Sequence, residues 1–122
     1  MQLFYGVPED IENWMSLVTR VRWNFPGLET QEKLDEHKAT VLRFMGKQQA
    51  ICVKEENEIA GVMLFSRGHN MICCLAVSPD YRRSGVASML MDEALRNLDR
   101  TKEISVSTFR ADDDPTTFMK AE

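Results

Sequence analysis

Leu75-Ala76-Val77-Ser78-Pro79-Asp80-Tyr81-Arg82-Arg83-Ser84-Gly85-Val86-Ala87-Ser88 is the stretch that decides how this chain reads. The residues leading into it, Met71-Ile72-Cys73-Cys74, make with Leu75-Ala76-Val77 one apolar run of strand length. Pro79 breaks that strand, and a basic loop of small residues follows. After Gly85, the apolar residues Ala87, Leu90, Met91, Ala94, Leu95 and Leu98 recur at helical spacing, so the sequence predicts a helix to about Leu98. A strand that passes through a small-residue loop into a helix N-terminus is an anion site. The first-turn N–H groups lack partners within the helix, and its dipole adds about half a positive charge there. Gly85 permits close backbone approach or a positive φ, while Ala87 and Ser88 keep the first turn uncrowded. Arg82 and Arg83 bring full positive charge to the same place. The ligand implied is a phosphate or pyrophosphate.

The phosphate-loop pattern G-x-x-x-x-G-K-[ST] is absent, since this stretch holds one glycine and no Lys-Ser/Thr pair after it. The dinucleotide pattern G-x-G-x-x-G is absent too. What stands here is Arg82-x-x-Gly85-x-Ala87 behind a strand ending Leu75-Ala76-Val77-Ser78-Pro79. This closely resembles the acyl-CoA-binding motif of the GNAT N-acetyltransferase superfamily. The resemblance is specific from Leu75 to about Leu98 and follows the family's element order over nearly the whole chain.

That resemblance implies an N-acetyltransferase that moves an acetyl group from acetyl-CoA to a primary amine of a small molecule or peptide. It implies that Arg82, Arg83, Ser84, Gly85, Val86, Ala87 and Ser88 hold the pyrophosphate, mostly through backbone N–H groups. A bulge in the preceding strand would free backbone groups of Leu75, Ala76 and Val77 for the pantetheine arm, with an N–H facing the thioester oxygen. The family's acceptor site is shaped by its first two helices and the loop between them, which makes Trp23 and Phe25 candidate substrate contacts; the simpler reading of both is as ordinary core or staple residues. No catalytic acid or base stands out. The motif strand carries Met71, Ile72, Cys73 and Cys74 where the family often has a glutamate. Glu32, Asp35, Glu36, His37, His69 and Asn70 are not singled out by spacing. The only tyrosines are Tyr5 and Tyr81, and Tyr81 sits at the family's aromatic packing position. The alternative is therefore a shortened, inactive module that binds CoA or a protein partner.

With 122 residues the chain is long enough for one domain, read here as residues 1–122. A formal net charge of −4 argues against a nucleic-acid partner. The N-terminus lacks the basic start and apolar run of a signal peptide, and no stretch approaches a membrane span. Three cysteines, two of them adjacent in an apolar strand, do not make a disulfide framework, so a reduced, cytoplasmic protein is expected.

In order, Gln2 to Gly6 reads as a strand, and Pro8-Glu9-Asp10 opens a helix whose stripe is Ile11, Trp14, Met15, Val18 and Val21. Asn24-Phe25-Pro26-Gly27 closes it. Thr30 is the expected N-cap of a second helix with Leu34, Val41, Phe44 and Met45 inward. Gln49 to Lys54 and Ile59 to Ser66 form a hairpin, which leads to the Met71–Val77 strand, the motif helix and a strand over Glu103–Phe109. The expected fold class is α/β: a mixed, mostly antiparallel twisted sheet flanked by helices, in the order β-α-α-β-β-β-α-β. It is C-terminally short, lacking the final helix and hairpin of the resembling family.

Two clusters have simple readings. Asp112-Asp113-Asp114-Pro115 is a helix start, with Asp114 as N-cap and Pro115 at the first position, and no metal site is expected. Cys73 and Cys74, as adjacent strand residues, should face opposite ways and fill space as free thiols. Without a further strand, Ile104, Val106 and Phe109 would lie on an unpaired edge. The expectation is then a homodimer formed through residues 103–109, or a longer parent chain.

Overall fold

The computed structural model describes residues 1–22, 28–107 and 118–121. Its centre is a six-stranded sheet in the order β1-β2-β3-β4-β5-β6, so every strand lies beside its neighbour in sequence. The strands are β1 (Gln2–Tyr5), β2 (Ala50–Glu55), β3 (Glu58–Ser66), β4 (Met71–Val77), β5 (Ile104–Ser107) and β6 (Phe118–Ala121). All pairs are antiparallel except β4 with β5. The expected α/β class and the first eight elements of the expected order are present.

The helices are α1 (Ile11–Arg20), α2 (Gln31–Gly46) and α3 (Val86–Asn97). Pro8–Asp10 forms a separate 3-10 turn ahead of α1, where the Asp10 carboxylate accepts the Val7 N–H at 3.1 Å and binds the Lys54 ammonium at 2.8 Å. α1 ends at Arg20, earlier than the Asn24–Gly27 segment expected to close it; that segment lies outside the described residues. Thr30 caps α2 as expected, its hydroxyl accepting the Lys33 N–H at 3.2 Å.

Two apolar layers cover the two sheet faces. On one face, Trp14, Leu17 and Val18 of α1 and Leu34, Val41 and Met45 of α2 pack against Cys52, Val62, Leu64, Cys74 and Ala76. On the other face, Val86, Leu90, Ala94 and Leu98 pack against Ile51, Val53, Met63, Phe65 and Ile72. Each fully buried side chain of this kind contributes about 1.5–3 kcal/mol relative to exposure. The position expected of Ala87 in this core is taken by Val86, and Ala87 is exposed.

Bulges in two strands set the site. Val53 pairs with Gly61 but Lys54 with Ile59, so Ala60 is the extra residue in β3. Leu64 pairs with Cys74 but Phe65 with Ile72, so Cys73 is the extra residue in β4. The second bulge overturns the reading of the paired cysteines. Cys73 and Cys74 both belong to the α1/α2 face, because the added residue breaks the strict alternation of the strand.

The C-terminal expectation also changes. β6 pairs with β5 from Ile104↔Ala121 to Ser107↔Phe118, so β5 has a neighbour on each side. The unpaired edge foreseen at 103–109 is closed over Ile104–Ser107, and the ground for a homodimer through that edge falls away. Residues 108–117, with the Asp112–Asp114 cluster, lie outside the described residues.

Candidate active site

The site lies at the C-terminal end of β4, ahead of α3. Among the described residues, β4 pairs with β5 at Met71↔Ser105 and Ile72↔Val106. On its other side β4 stays paired with β3 through Gly61↔Val77. Leu75 and Val77 pack partly buried against the α3 layer, and Ala76 is buried on the α1/α2 face.

Beyond Val77 the chain turns sharply toward α3. The Ser78 N–H donates to the Ala60 carbonyl at 2.8 Å, which continues the β3 contact by one residue. Pro79–Tyr81 is a single 3-10 turn, and the Ser78 hydroxyl accepts the Asp80 N–H at 3.3 Å. Arg83 and Gly85 then take left-handed backbone conformations, φ 66° and 85°. Gly85 is the residue before α3, where the chain must reverse within one position, and glycine adopts that φ without the Cβ penalty.

This turn leaves the α3 N-terminus open. Gly85 offers no side-chain cap, and no acidic residue stands in the first turn. The N–H groups of Val86, Ala87 and Ser88 have no intrahelical acceptor by helix geometry. Among the described residues no side chain takes their place. Arg82, Arg83, Ser84, Gly85, Ala87 and Ser88 are all exposed, and Val86 anchors the turn beneath them at 1% exposure. Neither arginine forms an ion pair among the described residues. Gly61 brings this turn close to the sheet: a Cβ there would lie 2.4 Å from Val86 Cγ1 and 3.2 Å from Leu90 Cδ1.

A cleft of about 360 Å³ opens to one side, between α1 and the β2–β3 turn. Asn13, Ser16, Arg20, Glu55, Glu58 and Tyr81 are among its walls, with Leu17 and Ile59 as its apolar part. Tyr81 links cleft and loop. Its hydroxyl donates to Glu58 Oε2 at 2.8 Å, and that bond raises the phenol pKa.

Burial disfavours the thiolate form of all three cysteines. Burial pushes Cys74 up to about 12 and Cys52 up to about 11, and it raises Cys73 as well. His37, on α2, has a buried Nε2 with no hydrogen-bond partner, and burial lowers its pKa. Glu36 is paired with Lys33 at 3.7 Å, and Asp35 accepts from Gln31 at 2.9 Å. His69 lies exposed in the β3–β4 turn, and Asn70 there bonds the backbone of Asp99 and Glu103. Trp23 and Phe25 lie outside the described residues. Among the described residues no cluster of three His, Cys, Asp or Glu could hold a metal ion.

An uncapped, arginine-flanked helix N-terminus directly beyond a strand end can receive an anionic ligand. Residues 9–117 match the model of the acetyltransferase (GNAT) family, and the chain belongs to that family. No curated protein matches it. Among solved structures, a GNAT-family acetyltransferase from Bacillus cereus is 20% identical with a TM-score of 0.66, covering 88% of this chain and 70% of its own. The PaiA N-acetyltransferase of Thermoplasma acidophilum, solved with coenzyme A, is 14% identical with a TM-score of 0.64; the match covers 86% of this chain and 77% of that one. The GNAT-like decarboxylase GphF, solved with isobutyryl-CoA, is 15% identical with a TM-score of 0.62, covering 87% of this chain and 65% of its own. At these identities the likeness is one of fold.

Sequence reasoning missed the residues that brace the loop, Arg20 and Glu58. Arg20 meets Asp80 across 60 positions, and Tyr81 meets Glu58 across 23, so no local pattern announces either contact.

Proposed function

We propose that this chain is an N-acetyltransferase that uses acetyl-CoA and acetylates a primary amine of a small molecule or peptide. One observation carries the reading: the Arg82-x-x-Gly85-x-Ala87 turn leaves the α3 N-terminus without a side-chain cap directly beyond the end of β4. The acyl donor's pyrophosphate suits the N–H groups of Val86, Ala87 and Ser88 with Arg82 and Arg83 beside them, as anions suit helix N-termini generally. The pantetheine arm, itself an amide chain, suits backbone polar groups at Leu75, Ala76 and Val77.

In the reaction the neutral amine attacks the thioester carbonyl. The C–N bond forms, the carbonyl π electrons move onto oxygen and return, and the C–S bond breaks. The amine proton leaves and the CoA thiolate takes one up. A backbone N–H of β4 stabilises the developing oxyanion. β4 itself carries no titratable oxygen or imidazole for the proton transfers. That absence on β4 favours one second reading, a shortened domain that binds CoA or a protein partner without turnover. The chain works as a single domain, and its three reduced thiols fit the cytoplasm. Among the described residues no helix is long and apolar enough to cross a membrane.

The test is release of free CoA thiol from acetyl-CoA with a panel of primary amines. Amine-dependent release supports transfer. Binding of CoA without release supports the second reading.

A further inference from the structure

The anion loop is not held by packing alone. Arg20, the last residue of α1, donates from Nη2 to Asp80 Oδ2 at 3.2 Å and from Nη1 to Ser78 Oγ at 3.5 Å. Ser78 is 1% exposed, and its hydroxyl also accepts the Asp80 N–H, so the guanidinium grips the buried hinge of the 3-10 turn together with its exposed acid. On the other side, Tyr81 reaches Glu58 of β3, and the Tyr81 carbonyl accepts the Ser84 hydroxyl. The 360 Å³ cleft lies behind both contacts, walled by Arg20, Glu58 and Tyr81 themselves. Side-chain packing is thus missing on that flank, and polar struts span the gap.

Asp80 makes the arrangement pointed. It is an acid inside a loop that otherwise presents N–H groups and two arginines. Left unpaired, its carboxylate would repel a phosphate and could draw Arg82 or Arg83 away from one. Arg20 comes from a different element and neutralises that charge without entering the loop. It also restrains a segment with two left-handed residues, Arg83 and Gly85, whose ordering a ligand would otherwise have to supply.

We propose that Arg20 is a positioning residue for the acyl-CoA ligand: it shields Asp80 and fixes the Ser78–Tyr81 turn so that Arg82, Arg83 and the α3 N–H groups converge on the pyrophosphate. The inference rests on the acyl-CoA reading above and adds a residue on α1, outside the motif, to it. In this proposal Arg20 acts on donor affinity and not on the chemical step.

Calorimetric titration of acetyl-CoA into the whole chain tests this, with folding of each variant checked by circular dichroism. Arg20→Ala is expected to weaken acetyl-CoA binding about fivefold, the upper range for a partly exposed ion pair. Adding Asp80→Asn to Arg20→Ala should recover most of that loss, and Arg20→Lys should lie between. In steady-state assays the KM for acetyl-CoA should rise while kcat and the KM for amine stay level. A purely structural role predicts a lower melting temperature with no recovery from Asp80→Asn. Arg20→Ala binding within twofold of the parent chain, or no recovery in the double variant, overturns the proposal. Absence of acetyl-CoA binding by the parent chain overturns the acyl-CoA reading itself, and this one with it.

Discussion

Gly61→Ala is the sharpest probe of how the sheet sets the anion site. A Cβ at Gly61 would lie 2.4 Å from Val86 Cγ1, 3.2 Å from Leu90 Cδ1 and 3.3 Å from the Ala76 carbonyl oxygen. Carbon atoms in contact prefer about 3.5–4 Å, so the first turn of α3 must lift by roughly an ångström. Overpacking of this sort costs about 1–3 kcal/mol, against a gain of about 0.4–1 from the stiffer unfolded chain. The net loss is then about 1–2 kcal/mol. For a domain of this size that lowers the melting temperature by roughly 3–10 °C. Because Val86 begins α3, acetyl-CoA affinity should fall as well. Val86→Ala removes the clashing atom, so its effect combined with Gly61→Ala should be smaller than the sum of the two single effects. Thermal melts of the four proteins measure this directly. A Gly61→Ala chain that melts at or above the parent temperature, or strictly additive losses, would refute the close contact between sheet and helix.

Three further outcomes are expected. Cys73→Ala and Cys74→Ala should each cost about a kcal/mol in thermal melts and leave turnover intact, since these are small core truncations; a folded variant without activity would contradict the inert-thiol account. For the same reason, iodoacetamide at pH 7.5 should label Cys74 only under denaturant, and rapid labelling of the native chain would count against its burial. Desolvation lowers the pKa of the half-buried His37, so the folded chain binds that proton less readily than the unfolded chain, whose imidazole keeps its ordinary value of 6.5. Stability should therefore fall as pH drops below 6.5, and His37→Gln should flatten that slope; an unchanged slope would show that His37 does not report on folding.

What could be read in the sequence followed how local each signal is. The β4 strand, the Ser78–Gly85 turn and α3 are contiguous, and their hydrophobic periods and single glycine announce them without help from elsewhere. Thr30 as a cap is local in the same way. The β4 bulge is not, because an extra residue is defined only by counting against the partner strand, and so Cys73 and Cys74 were assigned to opposite faces. β6 follows a segment of mixed composition whose Asp114-Pro115 pair reads as a helix start. The strand that closes the β5 edge therefore had no marker ahead of it. Arg20 and Glu58 are ordinary surface residues in sequence, and only the fold brings them to the loop. Catalytic acid–base groups were not legible either, and β4 supplies none.

The central claim is that the Arg82–Ser88 turn holds the pyrophosphate of acetyl-CoA, and Gly85 tests it most directly. A Cβ at Gly85 meets nothing within 4 Å, so a side chain has room, while the φ of 85° adds only about 1–2 kcal/mol of strain. Gly85→Glu thus puts a negative charge at the α3 N-terminus of a chain expected to stay folded. Titrated with acetyl-CoA, the parent chain should bind one equivalent, and a folded Gly85→Glu chain should bind at least tenfold more weakly. Equal affinity in the two folded proteins would place the ligand elsewhere and contradict the account.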